Sequence, residues 1–260
     1  MERFTREQIL SAVRDRYGAA ARGEGGCSPS CCSGSASAVS TSRNLGYSAA
    51  DLASVPEGAN LGLGCGNPQA VASLRAGETV LDLGSGGGFD CFLAARAVGT
   101  GGKVIGVDMT ADMVSLARKN AAKGGYRNVD FRLGEIEHLP VADASVDVII
   151  SNCVVNLSPD KQQVYREAFR VLRPGGRLAI SDVVASAPIP EDVAADIAAY
   201  AACVAGASSV DELGRMLAEA GFSEIRIEPK DESRSFIKDW SAQLKVEDYA
   251  LSATIQAVKP

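Results

Sequence analysis

Short apolar runs alternate with amphipathic stretches over most of the chain, and the alternation predicts strands and helices in turn. Thr79–Leu83 is one apolar run and Lys103–Asp108 is a second. Three more follow at Val129–Leu133, 146–151 and 177–183. Thr79–Leu83 reads as a short buried strand, and the other runs as the strands that follow it. Between them, Phe89–Val98, a stretch through Met113, Leu116 and Ala117, and residues 161–172 read as helices. The last of these stops at Pro174-Gly175-Gly176, where a helix cannot continue. Residues 191–220 predict two further helices, the first containing Cys203, while 225–228 and Ala250–Val258 predict two closing strands. The expected architecture is α/β, a doubly wound parallel sheet in one domain.

At the N-terminus, Phe4, Ile9, Leu10, Val13 and Tyr17 give residues 1–18 the apolar face of an amphipathic helix. Residues 18–44 are rich in Gly, Ser and Ala and have almost no large apolar group. Such a stretch cannot bury enough surface to fold alone, so a mobile arm is expected, and it carries Cys27, Cys31 and Cys32. The expected organisation is an N-terminal helix and cysteine-bearing arm over 1–44. One domain over 45–260 follows, with a helical insertion at about 188–220.

Composition narrows the function. The 260 residues carry a net charge of −6, which excludes a general nucleic-acid grip because that needs a basic face. No apolar run approaches the ~20 residues of a membrane helix. Met1-Glu2-Arg3-Phe4-Thr5-Arg6-Glu7 has charges where a secretory leader needs an apolar stretch. A cytoplasmic, reducing setting without membrane attachment is expected. There the seven cysteines should be free, catalytic or ligand-binding rather than paired in disulfides.

The first strand runs into Asp82-Leu83-Gly84-Ser85-Gly86-Gly87-Gly88, a turn whose glycines let a ligand approach the backbone. Dinucleotide binding calls for Gly-x-Gly-x-x-Gly, and counting from Gly84 and Gly86 the third position is Phe89, so that pattern fails. Asp-x-Gly-x-Gly-x-Gly is met instead by Asp82, Gly84, Gly86 and Gly88, and resembles the loop of class I methyltransferases that bind S-adenosylmethionine. Asp108 ends the second strand, where a carboxylate can accept hydrogen bonds from ribose hydroxyls. Gly134-Glu135-Ile136, after the third strand, matches the adenine-edge segment of that fold. The resemblance implies a Rossmann-like sheet with an antiparallel last strand. It also implies a cofactor site made by Asp82, Gly84, Ser85, Gly86, Asp108, Met109, Gly134, Glu135, Ile136 and Asn152.

Thiols are ligands for soft elements. Cys65 lies between glycines in Leu63-Gly64-Cys65-Gly66-Asn67-Pro68 and serves no apolar pattern. Cys153 follows the fourth strand, at the carboxyl edge where doubly wound sheets bind ligands, with Asn152 and Asn156 beside it. Cys203, in an alanine-rich stretch, reads by pattern alone as core. Cys91, beside Phe92 and Leu93, reads as packing, and His138, the single histidine, as a surface group. The runs 135–137 and 161–163 read as solvated faces or caps. Structural zinc favours thiols paired at Cys-x-x-Cys spacing, and no such pair exists.

The segments Asn44-Leu45-Gly46-Tyr47-Ser48, 61–68, 80–92, Gly106-Val107-Asp108-Met109-Thr110, 151–161 and Cys203-Val204-Ala205-Gly206 are similar to those of arsenite S-adenosylmethionine methyltransferases. The similarity runs over nearly the whole chain. It implies methyl transfer to trivalent arsenic bound by thiols. Cys32, Cys65, Cys153 and Cys203 would be the catalytic thiols, with Cys65, Cys153 and Cys203 as arsenic ligands. Cys31 remains an alternative to Cys32. The implied partners are a glutathione conjugate of arsenic and a thiol reductant of the thioredoxin type. Two other readings stay open: a methyltransferase for carbon or oxygen acceptors, and a non-catalytic thiol-based metalloid sensor.

Overall fold

In the computed structural model, which describes residues 4–24, 38–238, 240 and 244–260, the apolar runs become a single sheet. Helix α1 (Arg6–Ala21) is followed by three short helices, α2 (Ala38–Asn44), α3 (Ala49–Ser54) and α4 (Gln69–Ala72). The alternating part then runs β1 (Thr79–Leu83), α5 (Phe89–Val98), β2 (Lys103–Asp108), α6 (Ala111–Gly124), β3 (Val129–Leu133), β4 (Val146–Asn152), α7 (Lys161–Val171) and β5 (Leu172–Ala185). It closes with α8 (Glu191–Ala194), α9 (Ile197–Ala201), the two-residue β6 (Ser208–Ser209), α10 (Val210–Ala220), β7 (Ser223–Lys230), α11 (Arg234–Ile237) and β8 (Ala250–Val258).

The main strand order is β3-β2-β1-β4-β5-β8-β7, with β6 beside β5. Strands β1 to β5 are parallel, and β8 runs antiparallel to both β5 and β7. Successive side chains leave a strand on opposite faces, which sorts the apolar runs into two cores. Leu81, Leu83 and Ile149 pack with Val164, Ala168 and Val171 of α7 and Leu213 and Leu217 of α10. Val80, Val148 and Ile150 pack with Phe92 and Ala95 of α5 and Val114 and Ala117 of α6. Helices on both faces explain why the central strands β1 and β4 are almost wholly buried, whereas the edge strand β3 alternates apolar and polar residues.

A third apolar cluster lies at the carboxyl edge and joins Ile9 and Val13 of α1 to Cys65, Leu157, Val183, Ala199, Cys203 and Val246. Helix α1 is capped by Thr5, whose hydroxyl accepts from the Gln8 N–H while the Gln8 side chain accepts from the Thr5 N–H. Its apolar face therefore covers the edge where β1, β2 and β4 end. No helix among the described residues is long and apolar enough to cross a membrane.

Candidate functional site

The carboxyl ends of β1, β2 and β4 open onto a cavity of about 670 Å3, roofed by α1 and by the segment around Phe236 and Trp240. In the glycine loop, Gly84 (φ +71) has no room for a side chain, which would strike Val154. Gly86 (φ +49) faces open space, so the loop leaves room for a ligand. The Gly86 N–H donates to Asp108 Oδ2 (2.9 Å) and the Thr110 N–H to Oδ1 (2.8 Å), fixing the carboxylate at the cavity wall. Burial pushes the Asp108 carboxyl up, against these two hydrogen bonds. Ser85 Oγ lines the same wall and is buried with no hydrogen-bond partner among the described residues. An orphan hydroxyl beside an empty-sided glycine and an anchored carboxylate fits the polar ribose and amino-acid parts of S-adenosylmethionine.

Met109, Ile136 and Asn152 also reach the cavity, whereas Gly134 and Glu135 do not. Glu135 turns instead to α1 and accepts from Arg6 (2.8 Å) and Arg14 (2.7 Å). Its neighbour Glu137 corrects the expectation of a solvated face. It is buried and accepts from the Ser158 hydroxyl (2.5 Å), because the loop carrying it folds under α7 rather than into solvent. His138 is exposed, as expected.

Below the loop sits a polar group of which the sequence reading named Asp82 and Asn152 as site residues but not Tyr47 or Asp90. The Tyr47 hydroxyl donates to Asp90 (2.8 Å) and Asn152 Nδ2 donates to the Tyr47 oxygen (3.0 Å). Burial raises Asp90 to about 6, against the hydrogen bonds from Tyr47, Asn152 and Gln69. Asp82 is raised further by its own burial and then by the Asp90 charge. The Cys91 thiol donates to Asp82 (3.2 Å) from within the α5 core, so Cys91 packs as expected and also caps a buried carboxyl. Asp90 sits one position after Phe89 on a helix that reads as apolar, and nothing in the pattern marks it.

The thiols are brought together by one side chain. Asn152, at the end of β4, accepts from the Cys65 N–H (3.0 Å) and donates to the Gly66 carbonyl (2.8 Å), pinning the 64–66 turn beside Cys153. Gly64 (φ +144) is required there, since a Cβ would lie 2.9 Å from Asn152. Cys153 itself is left-handed (φ +59), and its N–H donates to the Ser181 carbonyl (2.8 Å). Cys203 (φ +64) donates its thiol proton to the Cys153 carbonyl (3.0 Å).

The Cys65 and Cys153 sulfurs lie within 4.8 Å of each other, and Cys203 joins them through the Cys153 carbonyl. Burial raises Cys65, opposed by its bond from Cys153. Cys153 gains from its bond with Cys203, but donation to Cys65 and burial outweigh this and raise it well above the ordinary thiol value. Cys203 is raised by the neighbouring Cys153 and then by burial. The Tyr17 phenol of α1 is raised by burial and then by the nearby Cys203 and Cys153. All three thiols are protonated near neutral pH until a ligand takes them.

Cys203 is not on a helix, contrary to expectation. Helix α9 ends at Ala201, and the chain turns back through Cys203 so that Gly206 can pass against the Asn156 carbonyl, where any side chain would collide. Close packing overrides the helix preference of the alanines. Asp182 on β5 was also missed. It accepts from the N–H of Val155 (2.9 Å) and Nδ2 of Asn156 (2.9 Å), shaping the turn that presents Cys153. Cys32, with Cys27 and Cys31, lies outside the described residues.

This is the cavity of a class I, S-adenosylmethionine-dependent methyltransferase. A methyltransferase-domain family model matches residues 74–221, more than half of the chain. Within that class the chain belongs to the arsenite methyltransferase family. It is 58% identical to the arsenite methyltransferase of Halobacterium salinarum over 98% of this chain and 67% of that one. It is 44% identical to that of Aquipseudomonas alcaligenes over 63% of this chain and 49% of the other. The crystal structure of the arsenic(III) S-adenosylmethionine methyltransferase of Chlamydomonas reinhardtii superposes with a TM-score of 0.61 at 33% identity, covering 84% of this chain and 72% of that one. The chain thus spans about two thirds of the Halobacterium relative and about half of the Aquipseudomonas one.

Proposed function

We propose that the protein transfers the methyl group of S-adenosylmethionine to trivalent arsenic held by Cys65, Cys153 and Cys203. One observation carries this reading: thiols from three separate parts of the chain gather at one cavity, Cys153 and Cys203 on the wall that the glycine loop shares and Cys65 within 4.8 Å of Cys153. When bound, the cofactor supplies an electrophilic sulfonium methyl. The arsenic lone pair is the nucleophile, so the transfer needs no acid–base pair. What the chain must do is align the two sites, and alignment of this kind lowers a barrier by several kcal/mol. Gly86, Ser85 and Asp108 hold the donor. Each thiol exchanges onto arsenic by passing its proton to the departing hydroxide or glutathione sulfur. The complex that results is neutral, which suits a buried site.

After transfer the arsenic is pentavalent. Two thiols can return it to the trivalent state by giving up two electrons and two protons and closing a disulfide. Cys32 is the assigned N-terminal member of this set, and Cys31 is its alternative. A glutathione conjugate as the arsenic source and a thioredoxin-type reductant belong to this proposal, as does a reducing cytoplasmic setting that keeps the thiols free. The testing experiment is mass spectrometry of arsenic after incubation with arsenite, glutathione and S-adenosylmethionine. Methylated arsenic appearing in step with S-adenosylhomocysteine is expected. Arsenite bound tightly without any methylated product would overturn it in favour of a sensor.

A further inference from the structure

The thiols have a carboxylate beside them. The Cys65 and Cys153 sulfurs and an Asp182 oxygen all lie within 4.8 Å of one another. Cys203 stands outside this cluster, with its thiol turned to the Cys153 carbonyl. Cys153 opens onto the cavity, and Cys65 and Asp182 lie just behind it. We infer that Cys65, Cys153 and Asp182 form a site for a thiophilic divalent cation of the zinc–cadmium type, with the fourth ligand position facing the cavity.

Three features support that chemistry. A tetrahedral ion with bonds of about 2.0–2.3 Å sets its ligands about 3.5–3.8 Å apart, a contraction of about 1 Å that cysteine and aspartate reach by rotation about χ1. Asp182 is oriented in advance by the hydrogen bonds from Val155, Asn156 and Val183, the outer fixation that metal-binding carboxylates need. Its second bond at Oδ2, from the Asn156 N–H, is 3.4 Å long, which leaves that lone pair available.

The third feature is charge. A divalent ion with two thiolates and one carboxylate leaves one negative charge. Lys161 of α7 lies close enough to Asp182 to stabilise its anion, and it neutralises that remainder. Trivalent arsenic, by contrast, is already neutral on three thiolates and has no use for Asp182. The two thiol protons leave to solvent when the ion binds. The site was invisible to cysteine spacing because Cys65 and Cys153 are 88 residues apart and meet only through Asn152.

A divalent ion here would occupy two of the arsenic ligands and block methyl transfer. This last consequence rests on the proposed function; the site itself does not. The test is titration of the full chain with Cd(II), followed by the ultraviolet thiolate-to-cadmium absorption. It is repeated on the Cys27→Ser, Cys31→Ser, Cys32→Ser triple variant so that N-terminal thiols do not contribute. Cys65→Ser, Cys153→Ser and Asp182→Asn, each made in that background, should weaken binding about tenfold or more, and Cys203→Ser should leave it within about threefold. Equal loss in Cys203→Ser, or parental affinity in Asp182→Asn, overturns the assignment.

Because Asp182→Asn also disturbs the turn at Val155, X-ray absorption of zinc in the triple variant provides a reading without that change. Two sulfurs with light atoms completing the shell are expected, and three sulfurs refute the site. One equivalent of zinc should also stop arsenite methylation, and a chelator should restore it. Bound metal in a protein that never methylates arsenic would sink the proposed function alone.

Discussion

Cys153 and Cys203 both hold left-handed backbone, which costs a non-glycine residue roughly 1–2 kcal/mol. The strain persists because strand pairing at Ser181 and the Cys203–Cys153 carbonyl bond fix both turns. Trivalent inorganic arsenic offers three exchangeable bonds and its monomethylated form only two. Cys153→Ser and Cys203→Ser are therefore expected to abolish methylation of both substrates. Cys65→Ser and the combined Cys31→Ser, Cys32→Ser change should lose arsenite but keep the monomethylated form. Parental turnover of that form by Cys153→Ser would defeat the two-thiol scheme. Asp108→Ala should weaken cofactor binding by ~1.5–3 kcal/mol, with arsenite affinity unchanged by calorimetry. Asp90 and Asp182, each raised to about 6 by burial, favour the protonated fold. Their contribution is complete below the ordinary value near 4 and is lost as pH rises through about 6. Asp90→Asn should flatten that fall by on the order of 2 kcal/mol, read from melts at pH 4.5 and 7; an unchanged slope would remove Asp90 from the account. Cys65 and Cys153 stood out in the sequence because one serves no apolar pattern and the other follows a strand. Asp182 was not, since an acid at the end of an apolar strand gives no sign that a distant turn will donate to it.

At the scale of elements, apolar runs marked the strands to within a few residues because burial on both faces leaves a dense signal. Strand β5 begins earlier than expected, at Leu172. Its Pro174-Gly175-Gly176 segment is held to the chain's end by the Gly175 N–H on the Lys259 carbonyl (2.7 Å) and the Lys259 N–H on the Gly176 carbonyl (2.8 Å). Helices α2 to α4 and α8 to α9 were missed or run together, since four to seven residues make too few turns to show a period. Helix α1 is the element on which the site most depends. Its tethers are Arg6 and Arg14 to Glu135 and Arg22 to Asp112, all partly exposed. Such pairs contribute ~0–1 kcal/mol each, so the buried Ile9, Leu10 and Val13 hold the helix more firmly than the charges do. Glu135→Gln should speed hydrogen exchange in α1 only about two- to tenfold and leave β1 and β4 unchanged. Exchange that rose throughout the sheet would show that the charges support more than the helix.

The molecule is organised around a cavity whose lining residues range from Leu10 to Val246, so segments distant in sequence share its walls. Donor loop, thiols and α1 roof meet at the same sheet edge, and α1 packs on α6 and α9 rather than standing apart. The sequence separated an N-terminal 1–44 from the rest on composition alone, and composition does not register that the apolar face of α1 completes the third core. A ligand placed between roof and sheet must stabilise both together. S-adenosylhomocysteine at one hundred times its dissociation constant adds about 2.7 kcal/mol to the folded state. For a chain of this size that corresponds to a rise in Tm of about 5–10 °C. We expect one calorimetric transition that moves upward as a unit, with α1 amides gaining protection in parallel with those of β1 and β4. If α1 melted separately, or its exchange ignored the ligand while the sheet responded, the helix would be an appendage and the closed cavity would not be the working site.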